Sequence, residues 1–364
     1  MRIAHVFKDS HPPVPAGITR YMADLAAASA ARGAEVDVYV AGVRNTRSEE
    51  RPDGVRIHRF AETTRTLSMP LSVPLVKAAS RIDADIVHLH LPNPIGELGA
   101  LANRGDHAIV LSFHAQLGKQ KLLAPVYGPL QRSLMRRASH VLAASKVLAE
   151  APELGAAGDR IRLAPYGVSP RMIASEPSAA ARLSGPLRVL FVGRLVYYKG
   201  IDILLDAVTR MDGVALSIYG DGVLRVPLCE RIRTDPKLAG RIEMIHDATD
   251  EEIVRAHLSH DVVVLPSVSR AEAFGLSMAE AMANGLPAIS TRLGTGTDWV
   301  NLHDQTGLTV PPEDPVALAE ALEVMRDNTT RMRLAHGAVS RARSEFSFDR
   351  HADLIHGFYE EAAA

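Results

Sequence analysis

Short apolar runs alternate with longer amphipathic segments along the chain, and this alternation constrains the fold more than any other feature of the sequence. Apolar runs of about 4–8 residues are typical of strands buried on both faces of a parallel sheet, with crossover helices between them. Thr19–Arg32 is one such intervening segment: Tyr21, Leu25 and Ala28 recur at helical spacing, and Gly33 ends it. The pattern therefore predicts an α/β protein with doubly wound parallel sheets.

The alternation runs through two series, which predicts two domains. The predicted strands of the first series are Arg2–Phe7, Glu35–Val40, Asp85–His90, Ala108–Phe113, His140–Ala144 and Arg160–Ala164. The second series contains the predicted strands Leu187–Val192, Ala215–Tyr219, Asp261–Pro266, Ala288–Thr291 and Leu308–Val310, and the predicted helices Ile201–Met211 and Asp250–Ser259. Residues 167–186 have no clear period and are rich in proline and glycine, as is typical of a linker. We expect domains at residues 1–166 and 187–345, and a helical tail at residues 346–364.

Composition excludes several classes of protein. Lysine and arginine number 41 against 42 acidic residues, a balance that argues against a dedicated nucleic-acid binder. The single cysteine, Cys229, excludes an intrachain disulfide and indicates a reducing compartment. The longest run without a charged residue, residues 107–118, is shorter than the ~18 residues of a spanning helix, and Lys8 and Asp9 interrupt the stretch where a signal peptide would lie. We expect a cytoplasmic protein.

Two cations follow the first strand of the second series. The loop Gly193-Arg194-Leu195-Val196-Tyr197-Tyr198-Lys199-Gly200 lies where ligands bind in open α/β sheets, at the carboxyl end of a strand. Arginine can contact phosphate oxygens in pairs and lysine supplies a point charge, so Arg194 and Lys199 suit a diphosphate. The alternative interpretation is a solvated turn with two exposed cations.

A second loop carries two carboxylates. Glu272 precedes a predicted helix start and Glu280 lies within that helix, so the backbone amides of Phe274–Ser277 are expected to point toward an anion. Ser277 and Glu280 also fit the spacing of a capping box. Capping explains Glu280 but leaves Glu272 without a partner.

Other segments are open to two interpretations. The loop His11-Pro12-Pro13-Val14-Pro15-Ala16-Gly17 has small residues that would let a substrate approach the backbone, but it also suits a rigid connector. His88 and His90 lie on one predicted strand; we expect them on opposite faces, buried as structural residues, with one able to reach a cleft. Residues 119–137 belong to a basic stretch with interleaved apolar residues, which fits either an anionic membrane contact or a solvated helix face.

Taken together, these segments resemble the retaining, GT-B-fold glycosyltransferases of family 4. The matching segments are Gly193-Arg194, Lys199-Gly200, Glu272, Phe274-Gly275, Glu280, Gly285-Leu286-Pro287, the Pro12-Pro13 to Gly17 loop, Asp85–His90, Phe113-His114, Asp261–Ser267 and Thr306–Pro312. The resemblance covers almost the whole chain. It implies two Rossmann-like domains facing a central cleft, an N-terminal acceptor-side domain and a C-terminal donor domain, with the terminal helix packing back on the former.

The resemblance also implies roles for individual residues. Arg194 and Lys199 would bind the diphosphate of a nucleotide sugar and stabilise the leaving group. The implied catalytic set is Glu272, His114, Arg194 and Lys199. The remaining implied contacts are Glu280 with the ribose, the amides of Phe274, Gly275 and Leu276 with sugar and phosphate, Gly17 in the acceptor-side loop, and Asp221 and His246 near the nucleobase. Enzymes of this family work without a bound metal, so no metal or other cofactor is expected.

The implied reaction moves a hexosyl group from a GDP- or UDP-hexose, with GDP-mannose among the candidates, to a hydroxyl of a lipid-linked glycan. Retention is ascribed to front-face attack, in which the leaving phosphate takes the acceptor proton. One alternative keeps this chemistry on a small natural product, such as an aminocyclitol or another secondary metabolite. An alternative of another class is a catalytically silent nucleotide-sugar-binding protein, against which the intact set of implied site residues argues.

The chain departs from the family pattern at two positions. Ala16 precedes Gly17 where the family usually has two glycines, and Tyr166 precedes Gly167 where it often has asparagine. Neither position belongs to the set of cations and carboxylates, so we expect the departures to affect acceptor geometry. Asp83 and Asp85 have the spacing of a metal-binding pair, but their place just before a strand favours a helix-to-strand turn.

Overall fold

The computed structural model describes residues 1–10, 17–66, 69–114, 124–175 and 185–364. The chain divides into two compact units. One comprises Met1–Gly167 together with Asp349–Ala364, and the other comprises Val168–Phe348. Of the proposed linker, residues 176–184 lie outside the described residues, as do residues 11–16 of the first loop.

The first unit is built on a mostly parallel sheet. Its strands, among the described residues, are β1 Arg2–Val6, β2 Glu35–Val43, β3 Arg47–Glu50, β4 Arg56–Ala61, β5 Thr64–Thr66, β6 Met69–Leu71, β7 Ile86–Leu91, β8 Ala108–Phe113, β9 His140–Ala143 and β10 Ile161–Leu163. The sheet order is β10-β9-β8-β7-β1-β2-β4-β3, antiparallel only between β3 and β4, and β5 and β6 form a separate antiparallel pair. The helices begin with α1 Gly17–Ala31, α2 Val73–Ala79, α3 Pro94–Ala102, α4 Ala124–Arg137 and α5 Lys146–Ala149.

The second unit has a parallel sheet throughout its described part. The strands are β11 Leu187–Val192, β12 Val214–Tyr219, β13 Ile242–Ile245, β14 Val262–Leu265, β15 Ala288–Thr291 and β16 Gly307–Val310, in the order β13-β12-β11-β14-β15-β16. The helices are α6 Ile201–Val208, α7 Arg225–Thr234, α8 Asp250–Ser259, α9 Leu276–Ala283, α10 Thr297–Val300, α11 Pro315–Val324 and α12 Asn328–Glu345. The last helix, α13, spans Phe348–Ala363, and its residues from Asp349 onward belong to the first unit.

Burial explains why the apolar runs become strands. Val189, Leu190 and Phe191 follow one another in β11 and are all fully buried, so both faces of this strand are covered. Leu204 and Val208 of α6 belong to the same core cluster as Val189 and Phe191. A parallel sheet requires this covering, because its crossover helices lie on the two faces.

The α/β architecture and all predicted strands are confirmed, with ends that differ by at most three residues. β3 to β6 and β13 were not predicted. β3 is exposed along its length, and in β4 Arg56 pairs with Asp37 on β2 at 2.8 Å. Such strands are held by polar pairs and by the neighbouring backbone, so they lack the apolar run that identifies a buried strand. None of the helices in the described ranges is both long and apolar enough to cross a membrane.

Candidate active site

The loop after β11 is held between two neighbouring strand ends. The amide of Gly193 donates to the carbonyl of Tyr219 at 2.9 Å, which joins the loop to the end of β12. Gly200 has a φ of +66°, and a Cβ there would lie 2.0 Å from the carbonyl oxygen of Pro266. Only glycine fits this conformation and this close approach. The loop therefore brings Lys199 next to the residues that follow β14.

Lys199 forms an ion pair with Glu272. Nζ of Lys199 lies 2.5 Å from Oε2 of Glu272, and the Ser267 hydroxyl donates to the same oxygen at 3.0 Å. Lys199 is 8% exposed and Glu272 7% exposed. Burial lowers the pKa of Lys199, but the Glu272 carboxylate and Tyr198 together more than offset this effect, so the pKa lies above its ordinary value. Lys199 is therefore a charged lysine at neutral pH.

Arg194 lies on the same loop but is exposed. It is close enough to Lys199 for its charge to oppose protonation there. Within the described ranges its side chain makes neither a hydrogen bond nor an ion pair, so the guanidinium is free to contact a ligand. The two cations of the loop thus differ, one being buried and paired and the other open to solvent.

The start of α9 follows Glu272. Gly275 is the N-cap with a φ of +83°, and no side chain of the described residues caps the helix. The capping-box interpretation of Ser277 and Glu280 is wrong, because α9 begins at Leu276 and Ser277 already lies inside it. Glu280 is on the following turn and is buried, as is Phe274. The amides of Leu276 and Ser277, at the start of α9, have no hydrogen-bond partner among the described residues and are available to an anion.

A loop after β15 supports the Glu272 segment from the other side. The Thr295 hydroxyl donates to the carbonyl of Glu272 at 2.8 Å, and the amide of Gly296 donates to the carbonyl of Ala273 at 2.9 Å. No role was predicted for Thr295 or Ser267. Their places after β15 and β14, at the carboxyl edge of the sheet, are the signal that would have found them.

The remaining predicted donor contacts of this unit follow β12 and β13. Asp221 is exposed; its Oδ1 accepts from the amide of Gly222 at 2.7 Å and lies 3.6 Å from Nε of Arg225. His246 comes directly after β13 and is exposed. The amide of Leu195 donates to the carbonyl of Asp221 at 2.9 Å, so the Arg194 loop and the Asp221 loop are adjacent.

Two predicted site residues belong to the first unit. Gly17 is exposed at the start of α1. His114 directly follows β8 and is buried, with Nε2 2.9 Å from Nδ1 of His90 and Nδ1 hydrogen-bonded to the Tyr166 hydroxyl. Burial lowers the pKa of His114 to about 3, so the ring is neutral. Its site role stays a prediction.

The prediction that His88 and His90 point to opposite faces is wrong. Residues two apart in a strand share a face, and these ring centroids lie 4.4 Å apart. Both side chains are buried, as expected. Asp83 and Asp85 both accept from the Arg2 guanidinium, at 2.9 and 3.2 Å, in a turn before β7, which agrees with the structural interpretation.

The described part of the basic stretch, residues 124–137, forms α4. Tyr127, Leu134 and Met135 are buried within the unit, whereas Arg132 and Arg136 are exposed. These apolar residues therefore belong to the protein core. Lys119 and Lys121 lie outside the described residues.

Each of the two units is a Rossmann-like α/β domain, and the carboxyl edge of the second carries a paired lysine, an exposed arginine and a helix start. Residues 15–171 match the family model described as Glycosyltransferase Family 4, and residues 175–341 match that of Glycosyl transferases group 1. The chain belongs to the family 4 glycosyltransferases of GT-B fold, and it is a glycosyltransferase.

Relatives and solved structures agree with this assignment. The chain is 28% identical to O-antigen chain mannosyltransferase C of Escherichia coli, over 99% of this chain and 98% of that protein. It is 28% identical to D-rhamnosyltransferase WbpZ of Pseudomonas aeruginosa, over 88% and 86%. D-inositol 3-phosphate glycosyltransferase of Acidothermus cellulolyticus is 30% identical over 96% and 86%.

Among solved structures, sucrose-phosphate synthase from Thermosynechococcus elongatus superposes with a TM-score of 0.84 at 20% identity, over 99% of this chain and 98% of that chain. HepE of Anabaena in complex with UDP and glucose gives a TM-score of 0.79 at 19% identity, over 99% and 100%. These similarities show the GT-B fold.

Proposed function

We propose that this protein is a retaining hexosyltransferase that uses a GDP- or UDP-hexose as donor and a hydroxyl of a lipid-linked glycan as acceptor. The observation that carries the donor assignment is the Lys199–Glu272 pair beside the free Arg194. The names of two relatives, a mannosyltransferase of an O-antigen chain and a D-rhamnosyltransferase, support a donor of the mannose type and a polysaccharide acceptor.

The donor diphosphate fits the two cations in different ways. The Arg194 side chain has no partner within the described part of the chain to give up, and it can contact two phosphate oxygens at once. Lys199 has three N–H donors, so it can keep its bond to Glu272 and still donate to a phosphate oxygen. Both charges would act most strongly when negative charge develops on the departing diphosphate, which is where a transferase needs stabilisation.

Glu272 is suited to hold the donor sugar. Its Oε2 already accepts from Lys199 and Ser267, whereas Oε1 makes no hydrogen bond within the described ranges and can accept from a sugar hydroxyl. Glu280 is proposed as the ribose contact, and the amides of Phe274, Gly275 and Leu276 as contacts to sugar and phosphate. Asp221 and His246, which follow β12 and β13, remain the proposed neighbours of the nucleobase.

We propose front-face transfer without an enzymic nucleophile. The bond between the anomeric carbon and the diphosphate oxygen breaks, the acceptor oxygen bonds to the same face of that carbon, and the acceptor proton passes to the departing diphosphate. Arg194 and Lys199 balance the charge of the diphosphate, so we propose that the reaction needs neither a metal nor another cofactor. The anomeric configuration of the product and turnover in the presence of EDTA test these two statements.

Nucleotide release tests the function itself. The full chain would be incubated with GDP-mannose, UDP-glucose and related donors, with lipid-linked glycans as acceptors and with small polyols in parallel. Release of GDP or UDP only with a glycan acceptor supports the proposal. Release only with aminocyclitols or other small molecules would favour the natural-product alternative. Stabilisation by a donor without release under any condition would favour the silent binding protein.

The proposed lipid-linked acceptor implies that the enzyme works at a membrane surface. Arg132 and Arg136 are exposed on α4 and would face anionic lipid if the enzyme binds a bilayer peripherally. Sedimentation with anionic and with neutral vesicles tests this part of the proposal. If the protein sediments equally with both kinds of vesicle, or with neither kind, the membrane contact is refuted and the solvated-face interpretation stands.

A further inference from the structure

Three buried histidines of the first unit form one line of hydrogen bonds. Nδ1 of His5 lies 3.1 Å from Nε2 of His90, and Nδ1 of His90 lies 2.9 Å from Nε2 of His114. The ring centroids are 5.4 and 5.1 Å apart, with interplanar angles of 22° and 3°. In each pair, the distance between the ring centroids equals the nitrogen–nitrogen distance plus the radii of the two rings. The bonded nitrogens therefore lie on the line between the ring centres, and the rings are arranged end to end. We call His5, His90 and His114 the imidazole row.

The sheet register explains this line. His5 on β1 lies opposite His88 on β7, so His90 is two residues farther along. His90 in turn lies opposite Ser112 on β8, and His114 is two residues beyond Ser112. Residues two apart share a face of the sheet. The imidazole row therefore rises diagonally from inside β1 to the carboxyl edge of the sheet, where ligands bind in open α/β folds.

The two ends of the imidazole row differ. At the sheet edge, Nδ1 of His114 is hydrogen-bonded to the Tyr166 hydroxyl. At the inner end, Nε2 of His5 is buried and has no hydrogen-bond partner among the described residues. Burial lowers the pKa of all three rings, in His5 and His114 to about 3, so each is neutral at neutral pH.

Because all three rings are neutral, the hydrogen bonds of the imidazole row must all point the same way. A neutral imidazole has one N–H and one lone pair, so the direction of one bond decides the others. A buried N–H without a partner is rarer than a buried acceptor without one. Nε2 of His5 therefore carries the lone pair, each Nδ1–H donates to the next ring, and Nδ1–H of His114 donates to Tyr166.

A metal site is the competing explanation. Ring nitrogens of His5, His88 and His90 lie within 4.8 Å of one another. Both nitrogens of His90 are occupied within the row, however, and those of His88 are bonded to the hydroxyls of Tyr359 and Ser112 at 2.6 and 2.7 Å. The facing nitrogens of His5 and His90 point at each other and not at a shared ion, so the hydrogen-bonded row explains the cluster better.

We propose that the imidazole row holds His114 as the Nδ1–H tautomer, so that His114 donates a hydrogen bond to a sugar hydroxyl that replaces Tyr166 and does not act as a base. His90 is the positioning residue, because it donates to Nε2 of His114 and occupies that lone pair. His5 holds His90 in the same way. The identity of the ligand rests on the proposed function, whereas the tautomer does not.

Nuclear magnetic resonance identifies the tautomer of each histidine ring directly. Long-range hydrogen–nitrogen correlation spectra of the full chain, labelled with nitrogen-15 in histidine, distinguish Nδ1–H from Nε2–H rings, and single substitutions to asparagine assign the signals. We expect Nδ1–H for His5, His90 and His114 at pH 7. An Nε2–H or a protonated His114 overturns the proposal, as does displacement of the hydrogen-bonded signals by added Zn²⁺.

Kinetics test the positioning role. His90→Asn keeps an amide N–H near the position of Nδ1, whereas His90→Leu removes the donor. We expect the leucine variant to lose about tenfold or more in kcat with a smaller change in donor KM, because a misplaced contact group costs rate, and the asparagine variant to recover most of it. His140→Leu is the matched control: it removes another buried histidine of the same sheet, at the amino end of β9.

The proposed function and the proposed tautomer can be contradicted independently of each other. If no donor gives nucleotide release with the unaltered protein, the proposed function fails while the tautomer is still decided by the spectra. If the Nδ1–H tautomer is found but His90→Leu, His90→Asn and His140→Leu turn over alike, the positioning role is overturned and the row is only structural.

Discussion

Nζ of Lys199 lies 2.5 Å from Oε2 of Glu272, although 73 residues separate them in the chain. The contact forms because the loops after β11 and β14, neighbouring strands of one sheet, meet at the same edge. It makes Lys199 both a candidate ligand for the diphosphate and the counter-charge of a buried carboxylate. A single substitution therefore changes two properties at once.

Double substitution separates these two properties. Lys199→Met should lower turnover by about 10²-fold or more and also lower the free energy of unfolding, because it leaves the Glu272 carboxylate buried without its partner. Adding Glu272→Gln should restore much of the stability but none of the activity. Urea unfolding and nucleotide release measure the two effects. Recovery of activity in the double variant would contradict the assignment.

Arg194 should behave differently from Lys199. Because it is exposed and has no partner in the described ranges, Arg194→Ala should change the free energy of unfolding by no more than about 0.5 kcal/mol. The donor KM should rise or kcat should fall, since a diphosphate contact is lost. Arg210→Ala, which removes another exposed arginine of the same unit, is the control. Equal kinetics for the two variants would show that Arg194 is only a solvated cation.

Gly200→Ala should disrupt the loop that positions Lys199. The φ of +66° strains any other residue, and the added Cβ would lie 2.0 Å from the Pro266 carbonyl oxygen. Gly54→Ala is a matched control, because its φ is +80° but a Cβ there would meet no described atom within 4 Å. We expect the Gly54 variant to lose about 1–3 kcal/mol from strain alone and the Gly200 variant to lose more, together with activity. Similar losses in both would mean that Pro266 moves aside readily.

The buried histidines of the first unit predict sensitivity to acid. Burial lowers the pKa of His5 and His114 to about 3, of His351 to about 4, and of His88 and His90 well below the ordinary value. Below pH ~6.5 the unfolded chain binds protons that the folded chain does not, at about 1.4 kcal/mol per histidine and pH unit. The free energy of unfolding should therefore fall steeply from pH 6.5 to pH 5. Equal urea midpoints at pH 8 and pH 5 would contradict these pKa shifts.

Glu97 should give a smaller effect of opposite sign. It is fully buried, accepts from the amide of Asn93 at 2.8 Å and from the Tyr127 hydroxyl, and burial raises its pKa to about 7. Between its unfolded and folded pKa values only the unfolded chain loses the proton, so the Glu97 contribution to stability falls as the pH rises, by about 3 kcal/mol in total. Glu97→Gln should be relatively more stable at pH 8 than at pH 5. A difference from the unaltered protein that does not depend on pH would refute this.

Much of the fold was predictable because buried strands have a local signature. The run from Leu187 to Val192 is apolar except for Arg188, since helices cover both faces of β11, and any chain with that environment needs such a run. β3 and β4 had no such signature, because their stability comes from pairs such as Arg56 with Asp37 on a neighbouring strand. The capping-box prediction failed for a similar reason: Gly275 begins α9 from a left-handed conformation that the spacing of Ser277 and Glu280 does not reveal.

The sequence alone determined the α/β class, the order of the strands along the chain and the presence of Arg194, Lys199 and Glu272 after strand ends, because each depends on local composition and spacing. Only the tertiary structure decided which of these groups meet. The sheet orders place β14 beside β11, and β7 between β1 and β8. They thereby pair Lys199 with Glu272 and align the imidazole row. Strand order is set by packing of the whole unit, so no local pattern in the chain specifies it.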